Sequence, residues 1–445
     1  MHGPVLTLLA TLALAAPAGA AELRVDSTAP GNGNCAVAGS CTLRQAIVDA
    51  AGLPGKDTIR LPPGTYDQTG QDLIVSIGQQ LEITGEDPRT THIREVSGGD
   101  GRVFLVEQDA GLDLSGVTLS GSRGASAVLL FGGGAAFRAT NVVLTGNTAA
   151  NGAAIDATGG TATLTDSAVT GNAATAKGGG IYLGGAASAL VTRNVTIAGN
   201  TAPDGAGVAV DQGAATLTAT TVAQNGSAPD VRGPVASRAS LVGSCATPLT
   251  SLGATVSGDP ACAANRTAPL ELGGLGDHGG TTPTILPAAG SPAIDADAAC
   301  AAGGVDQRGV PRPQGAACDA GAVELPATST PPVTATQPPV RISALRVRPS
   351  RWRPASGAAQ VTFRATGAAT VRFTVQRARR HRRGAPRRFV TVRGTFARRA
   401  AAGTNRVRFR LVGGRTLRPG RYRLVARAAT GPVHRAGFIV VGGRR

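Results

Sequence analysis

Apolar and polar residues alternate within short segments that recur along the middle of the chain. Five such segments end at Ser122, Asn147, Asn172, Asn200 and Asn225, which are 25, 25, 28 and 25 residues apart. An apolar residue stands three positions before each end: Leu119, Leu144, Val169, Ile197 and Val222. Alternation with period two predicts strands with one buried face, and the fixed recurrence predicts a repeat architecture in which like residues stack.

The tracts between these segments are rich in Gly, Ala and Thr, which predicts bends, and a further strand follows in each unit. With strands about 4.8 Å apart, each unit can form one coil that lies on the previous coil through parallel hydrogen bonds. We therefore predict an all-β chain with a parallel β-helix over residues 57–233. The repeats are longer than those of left-handed hexapeptide helices, which favours the right-handed form. A leucine-rich repeat is disfavoured because no L-x-x-L-x-L pattern recurs.

The recurring asparagines predict a second feature of the coils. Amide side chains stacked at the coil spacing can bond to one another, so the column predicts a structural ladder, with ligand binding as the alternative. The predicted members are Asn147, Asn172, Asn200 and Asn225.

Charge divides the chain into two unlike parts. From Arg341 to Arg445 there are 28 Arg and no Asp or Glu, although the whole sequence has 27 acidic residues. The net charge of +17 is therefore the sum of an acidic part and a strongly basic part that follows it. The 63 glycines and 3% aromatic residues suit thin stacked coils better than one bulky core.

Residues 1–20 predict a signal peptide. An apolar run precedes Ala18-Gly19-Ala20, which has the small-x-small form of a cleavage site. The run is too short for a membrane-spanning helix, and no other segment is long enough, so we expect no integral membrane segment in the mature chain. Export to the cell surface or the medium is the predicted localisation.

Six cysteines in an exported chain favour disulfides over metal ligands. They form three pairs of sequence neighbours, and neighbour pairing is our prediction among the fifteen possible connectivities. The predicted bonds join Cys35 with Cys41, Cys245 with Cys262 and Cys300 with Cys318.

Residues 21–56 predict an N-terminal cap. Leu43, Ile47 and Ala50 lie at helical spacing, and an amphipathic helix can cover the open apolar end of a solenoid. The segment CTLRQAI resembles the Cys-Ser-Leu-Arg-Glu-Ala motif at the start of secreted bacterial β-helix proteins, with Thr42 and Gln45 at the Ser and Glu positions. The resemblance also implies a cap.

Residues 234–325 contain a second resemblance. The segments Gly290–Asp295, Asp306–Gly309 and Asp319–Glu324 resemble the Gly-Ser-Pro-Ala-Ile-Asp, Asp-Gln-Arg-Gly and Asp-x-Gly-Ala-x-Glu motifs of the choice-of-anchor Q domain. His278 stands at the usual Asn position and Thr282 at the usual Pro position of the preceding motif. The resemblance implies the C-terminal coils of an exported β-helix followed by a variable means of attachment, and it implies no reaction.

Residues 326–340 form a Thr/Pro-rich stretch typical of an extended linker. In residues 341–445, apolar residues alternate with Arg in about seven runs, which predicts a small β-sandwich of immunoglobulin or fibronectin III type. The segment LRPGRYRLVARA resembles the Pro-Gly-x-Tyr strand of small sandwich domains on secreted actinobacterial proteins.

Catalysis is the main alternative, since pectate lyases and polygalacturonases are also parallel β-helices. Glycosidases need two carboxylates a short distance apart, and the alignment gathers no carboxylates on one face. We therefore predict no catalytic residues and keep a pectin-lyase-like polysaccharide lyase or hydrolase as the alternative. The pair Asp277 and His278 is interpreted as a turn, because two glycines follow it.

A dense charged set in residues 295–324 has two interpretations. It can form a salt-bridged plug that seals the last coil, or it can bind Ca²⁺ through hard carboxylate oxygens. We expect no cofactor from the rest of the sequence. The candidate calcium ligands are Asp295, Asp306, Asp319 and Glu324.

The sharpest basic cluster lies in a predicted hairpin loop and is the candidate anion-binding site. Arg forms bidentate contacts with phosphate and carboxylate, so the expected partners are anionic envelope polymers or glycans. Extracellular DNA is the only nucleic acid expected. The cluster comprises Arg377, Arg379, Arg380, Arg382, Arg383, Arg387 and Arg388. The predicted function is a non-catalytic adhesion, glycan-binding or structural module that this domain holds at an anionic envelope.

Overall fold

The computed structural model describes residues 20–300, 303–326, 341–353, 358–367, 369–379, 389–409, 417–428 and 433–441. The predicted signal peptide therefore lies outside the described residues except for Ala20, as does nearly all of the predicted linker. The chain divides into two compact units, residues 1–328 and 329–445. Among the described residues, none of the helices is long and apolar enough to cross a membrane.

The first unit is a parallel β-helix with three long sheets. Sheet A has ten strands, in spatial order Glu22–Arg24, Lys56–Leu61, Gln80–Gly85, Gly111–Ser115, Ala136–Thr140, Thr161–Thr165, Ala189–Arg193, Ala214–Thr218, Val235–Arg238 and Thr250–Gly253. Sheet B has ten, in spatial order Gly64–Gln68, Thr91–Glu95, Thr118–Ser120, Val143–Thr145, Ala168–Thr170, Thr196–Ala198, Thr221–Val222, Leu241–Val242, Val256–Ser257 and Arg266–Thr267. Sheet C has seven, in spatial order Leu73–Val75, Phe104–Val106, Val128–Leu130, Ile155–Ala157, Ile181–Leu183, Val208–Val210 and Val231–Arg232. Thr148–Asn151 and Ala173–Lys177 form a further parallel pair between sheets B and C.

Stacked apolar columns form the core of this unit. In sheet A, Leu112, Phe137, Ala162, Leu190 and Ala215 lie opposite one another in successive strands, and all are buried. Each buried Leu contributes roughly 1.5–3 kcal/mol relative to an exposed one. The predicted inward column ending at Val222 is likewise buried in sheet B. Period-two alternation therefore identified the buried face correctly.

A short helix, Leu43–Ala51, covers the first coils. Thr42 caps it by accepting a hydrogen bond from the Gln45 amide at 3.2 Å. The helix buries Leu43, Ile47 and Ala50 in the same core cluster as the sheets. Arg44 donates to the carbonyl oxygens of Asp72 and Gln71, which fixes the helix to the following coil.

Disulfides are present in all three predicted pairs: Cys35–Cys41, Cys245–Cys262 and Cys300–Cys318. Cys41, Cys245 and Cys262 lie in the main core cluster, so two of the three bonds reinforce the ends of the β-helix. Three disulfides indicate an oxidising environment.

The coils end earlier than the sequence predicted. We expected them to continue to residue 325, but beyond Arg266–Thr267 the described chain adds no further coil and turns back along the β-helix. The 3₁₀ helix Pro260–Cys262 lies before this turn in the chain. We call residues 270–326 the return segment, and it contains two antiparallel strand pairs. The pairs are Leu272–Gly276 with Thr284–Pro287 and Gly304–Val305 with Pro311–Arg312.

The return segment lies along the bends between sheets A and B. Arg266 donates to the Pro292 carbonyl at 3.1 Å in the last coil, and Asn194 donates to the Val305 carbonyl at 2.9 Å in a middle coil. Arg89 donates to the Gly280 carbonyl at 3.3 Å near the start of the β-helix. The segment therefore crosses most of the coils instead of sealing the last one.

The second unit is a sandwich of two mainly antiparallel sheets around its own core, with one parallel pair between Arg351–Trp352 and His434–Val440. One sheet contains Ile342–Arg348, Ala359–Ala365 and Gly403–Phe409. The other contains, in spatial order, Arg351–Trp352, His434–Val440, Gly420–Ala428, Ala369–Ala378 and Phe389–Ala400. Phe363 and Phe373 meet edge to face across the two sheets at 5.6 Å, and Trp352 is buried in the same core.

Candidate functional site

The asparagine column is a continuous buried ladder. The Asn147 side-chain amide donates to Asn172 Oδ1, that of Asn172 to Asn200 Oδ1, and that of Asn200 to Asn225 Oδ1, each at 2.9 Å. Each accepting oxygen also takes the backbone N–H of the asparagine one coil earlier. Since every amide is engaged inside the protein, the column is structural and offers little to a ligand.

Two residues outside the predicted column end the ladder. The Ser122 backbone donates to Asn147 Oδ1 at 3.1 Å, and Asp230 Oδ1 accepts from the Asn225 amide at 2.7 Å. Burial raises the pKa of Asp230, while the bonds from Asn225 and Ser244 oppose this. A carboxylate suits the terminal position because it accepts without needing a further acceptor beyond it.

The four candidate calcium ligands lie in the return segment and bind N–H groups. Asp306 accepts from the backbones of Arg308, Val310 and Glu324 and from the Arg308 guanidinium at 2.8 Å. Glu324 accepts from Arg312 and from the backbones of Gln314 and Asp319. Over the described ranges, no three His, Cys, Asp or Glu side chains are grouped so that they could hold a metal ion.

The remaining two candidates are also engaged. Asp319 accepts from the backbones of Asp295 and Leu325, each at 2.8 Å, and Asp295 accepts from the Ala317 backbone. Burial raises the pKa of Asp319 and lowers that of Arg312. The arrangement matches the salt-bridged interpretation of this set, but along the flank and not at the end of the β-helix.

Asp277 and His278 bond locally and not to each other. Asp277 accepts from the Gly279 backbone at 3.0 Å, and His278 Nδ1 lies 3.0 Å from the Thr284 carbonyl oxygen. These contacts match the turn interpretation.

Charged side chains gather on the flank of sheet C, which the sequence did not predict. The register places Asp156, Tyr182, Ala209 and Arg232 opposite one another on successive coils. Lys177 and Asp204 form a bridge pair in the adjacent segment. We call the following set the sheet C cluster: Asp156, Lys177, Tyr182, Asp204, Asp211 and Arg232.

Asp211 is the centre of the sheet C cluster. Its carboxylate accepts from Lys177 at 2.7 Å, from Tyr182 at 3.0 Å and from Arg232. The Lys177 ammonium is the main cause that lowers the pKa of Asp211 to about 2, and Arg232 adds to it. Arg232 also pairs with Asp204 at 2.9 Å. The expectation that no face gathers carboxylates was therefore wrong.

Asp156 differs from its neighbours because its Oδ1 is buried and has no hydrogen-bond partner. Burial raises the pKa of Asp156 to about 6, against a weaker lowering by Arg102. Burial, followed by the bond to Asp211, raises the pKa of Tyr182 to about 12. The cluster therefore combines one carboxyl that is protonated in mild acid with one that stays ionised.

Column alignment missed the cluster because the coils differ in length there. Lys177 and Asp204 lie between sheets B and C, where the coil from Asn172 to Asn200 carries 28 residues instead of 25. A fixed period therefore cannot place these side chains beside sheet C.

Only part of the candidate anion-binding site is described. Arg377 and Arg379 line a cleft of about 460 Å³, and Arg377 also donates to the Pro419 carbonyl at 2.8 Å. Arg380, Arg382, Arg383, Arg387 and Arg388 lie outside the described residues.

Comparison with known proteins adds no family to this description. The chain matches no protein-family model, and no curated protein matches it at a significant level.

Proposed function

We propose that the protein is an exported cell-surface or extracellular module whose basic domain retains it at an anionic envelope. In this proposal the β-helix contacts glycans or neighbouring cells and catalyses no reaction. The observation that carries it is the charge of the second unit, which has 28 arginines and no acidic side chain from Arg341 to Arg445. Arg stays protonated at any physiological pH, so this unit attracts anionic polymers under all growth conditions.

The β-helix supports the same division of roles. Its surface charges pair within the unit, as in Lys56 with Glu82 and Asp113, Arg60 with Glu22 and Arg94 with Asp67. The rest of the chain has 16 Lys or Arg against 27 acidic residues, so it is net acidic and an anionic envelope repels it, which leaves non-specific retention to the sandwich. Export is supported by the signal-peptide pattern and the three disulfides.

Binding to isolated bacterial envelopes tests the proposal. The full chain and two fragments, residues 21–325 and 341–445, would be sedimented with envelopes over a series of salt concentrations; each fragment contains its own core. We expect the full chain and the basic fragment to bind and to be released above physiological ionic strength, because salt screens exposed charges. Binding of the β-helix fragment alone, persisting in high salt, would contradict the division of roles.

One observation favours a second function, a polysaccharide hydrolase or lyase. Asp156 has a buried carboxyl oxygen without a partner and a pKa near 6, and the ionised Asp211 lies in the same cluster. One protonated and one ionised carboxyl form the pair that glycoside hydrolysis uses. In this alternative Asp156 donates a proton to the leaving oxygen, and the ionised Asp211, whose low pKa makes it a poor proton acceptor, stabilises positive charge in the transition state.

A panel of neutral and acidic polysaccharides distinguishes the two functions. An enzyme releases new reducing ends or unsaturated products, and Asp156→Asn abolishes this release while Asp100→Asn, at an exposed site, does not. A non-catalytic module binds a polysaccharide, and neither the wild-type protein nor Asp156→Asn releases any product.

A further inference from the structure

The outer face of the five-stranded sheet is built of arginine and threonine. In Ala369–Ala378, the residues Val371, Phe373 and Val375 are buried, which turns Thr370, Arg372 and Thr374 to the opposite side. The neighbouring strand Gly420–Ala428 buries Tyr422, Leu424 and Ala426 and turns its arginines to the same outer face.

Four arginines form a diagonal row across four strands of this face. Arg372 lies directly opposite Arg427. Arg399 lies opposite Thr370, two positions from Arg372, and Arg435 lies opposite Val425, two positions from Arg427. Direct neighbours are about 5 Å apart and diagonal neighbours about 7–8 Å, so the row spans roughly 20 Å. We call Arg399, Arg372, Arg427 and Arg435 the arginine row.

A cleft of about 660 Å³ lies at the centre of the arginine row. Arg372 and Arg427 line it together with the hydroxyl-bearing Thr370 and Thr374. Its other walls are apolar: Ala397, Val425, Ala428 and Val433. The cleft therefore offers hydrogen-bond donors next to small hydrocarbon surfaces.

The fold itself gives no reason for this pairing. Like charges directly opposite on neighbouring strands destabilise a sheet, and the domain sequence has no carboxylate side chain to offset them. An anionic partner from outside would remove the repulsion between Arg372 and Arg427.

From these observations we infer that the arginine row binds a linear phosphodiester polymer with short carbon linkers, with one phosphate held between Arg372 and Arg427. The inference rests on the proposed retention at an anionic envelope and names its ligand class and its site. It also moves the site from the predicted loop of residues 377–388 to the sheet face.

Phosphate fits the row better than carboxylate for two reasons. Two guanidinium groups and two hydroxyls line one cleft, so a tetrahedral oxyanion placed between them can accept from several donors at once, whereas a planar carboxylate is satisfied by one bidentate Arg. Phosphates joined through a three-carbon linker are separated by about six bonds. Three bonds of extended chain span about 3.4 Å, so this repeat is about 7 Å and three consecutive phosphates span about 14 Å. Arg399 and Arg435, whose Cβ atoms are roughly 20 Å apart, therefore reach the outer two phosphates by leaning inward about 3 Å each. The apolar walls then contact the linker carbons.

The test uses the full chain and a synthetic poly(glycerol phosphate). We expect Arg372→Gln with Arg427→Gln to weaken binding at least about tenfold and to reduce the slope of log affinity against log salt by about 1.5. Arg364→Gln with Arg406→Gln removes the same charge from the outer face of the other sheet and should change affinity less than about threefold. Arg372→Lys with Arg427→Lys keeps the charge but loses the bidentate geometry, so an intermediate affinity is expected.

Several results would overturn the inference. Equal loss from the two Gln pairs would mean that net charge decides binding, and equal affinity for polygalacturonate or for phosphatidylglycerol vesicles would remove the preference for a phosphodiester polymer. If the wild-type chain binds envelopes but not poly(glycerol phosphate), the inference fails while the proposed function stands. Because all substituted side chains face solvent, the thermal midpoint of each variant without polymer serves as the folding control.

Discussion

At the scale of single residues, the asparagine ladder shows how a repeat satisfies buried polar groups. Asn172 donates to the Leu144 carbonyl and to Asn200 Oδ1, and its own oxygen accepts two N–H groups of Asn147. Buried amides are costly unless they are bonded, and here each coil supplies the partners of the next. The ladder therefore makes the bend of one coil depend on the bend of its neighbour.

Replacement of one ladder residue should destabilise the whole β-helix. We expect Asn172→Ala to lower the free energy of unfolding by about 2–4 kcal/mol, because it leaves buried donors and acceptors on both neighbouring coils without partners. Chemical denaturation followed by circular dichroism measures this. Asn32→Ala, at an exposed position, is the control and should change stability by less than about 0.5 kcal/mol.

Asp156 should give the β-helix a pH dependence of definite sign. Burial raises the pKa of this carboxyl to about 6, above an unfolded value near 3.9. The native state thus favours the protonated form, so its stabilising effect is complete below about pH 4 and is lost as pH rises to about 6. We expect Asp156→Asn to gain up to about 2 kcal/mol over wild type at pH 7 and nothing at pH 4.

Asp211→Asn provides the opposite case. The Lys177 ammonium lowers the pKa of Asp211 to about 2, so its stabilising effect is present above about pH 4 and disappears as pH falls towards 2. Thermal midpoints of the three proteins from pH 2 to 8 measure both effects. A midpoint difference for Asp156→Asn that does not vary between pH 4 and 7 would contradict the assignment.

At the scale of elements, the sequence predicted what repeats and missed what occurs once. The 25-residue period located the inward columns and the ladder because each coil repeats the same apolar positions and the same asparagine. It did not show that the residues at the bends between sheets A and B adopt positive φ, as Asn141, Asp166 and Asn194 do. Their sequence signal is an Asn or Asp six residues before the segments that end at Asn147, Asn172 and Asn200, and Ala219 and Ala239 obscure it in later coils.

The return segment could not be placed from sequence because its contacts are long-range and unique. Thr196 donates to Gln307, which is 111 residues away, and Gly321 donates to Ala239 through the backbone. No period relates the two partners, and a motif resemblance marks residues of this segment without giving their position. The sheet C cluster was missed for a similar reason, since it forms where the coil length changes.

Gln307 is the central contact of the return segment. It is buried, accepts from Thr196 at 2.7 Å and donates to Thr282 and the Pro283 carbonyl. We expect Gln307→Ala to release the segment locally, so that hydrogen exchange in residues 277–325 rises while exchange in sheets A and B stays slow. Gln314→Ala removes a half-buried glutamine of the same segment whose side chain donates to the nearby Pro311 carbonyl, and it should leave exchange unchanged. Equal protection in Gln307→Ala would show that this contact is dispensable.

The carboxylates of the same segment predict insensitivity to chelators. Asp306, Asp319 and Glu324 already accept two or more N–H groups each, and over the described ranges no three carboxylates are grouped so that they could hold an ion. We expect the thermal midpoint to be the same in EDTA and in millimolar Ca²⁺. A rise of several degrees with Ca²⁺ would revive the calcium interpretation, because a bound ligand stabilises the native state.

At the scale of the whole molecule, the two units should respond differently to salt. The β-helix forms ion pairs between opposite charges on its surface. The sandwich sequence, residues 341–445, has no Asp or Glu to pair with its arginines. Salt screens repulsion as well as attraction, so it should stabilise the sandwich and slightly weaken the surface pairs of the β-helix.

The single tryptophan makes this difference measurable in the intact chain. Trp352 is the only tryptophan in the sequence and is 2% exposed in the sandwich core, so its fluorescence reports the unfolding of that unit alone. We expect the fluorescence midpoint to rise by several degrees between about 20 mM and 500 mM NaCl, as the Debye length falls from roughly 20 Å to about 4 Å. The thermal midpoint of the β-helix, followed by circular dichroism, should shift by less than about 2 °C over the same range.

Poly(glycerol phosphate) at low salt should also raise the fluorescence midpoint, because a ligand that binds only the folded sandwich stabilises it. A fluorescence midpoint that changes with neither salt nor polymer would mean that repulsion between the arginines does not affect the stability of the sandwich. The physical basis for retention at an anionic envelope would then be lost.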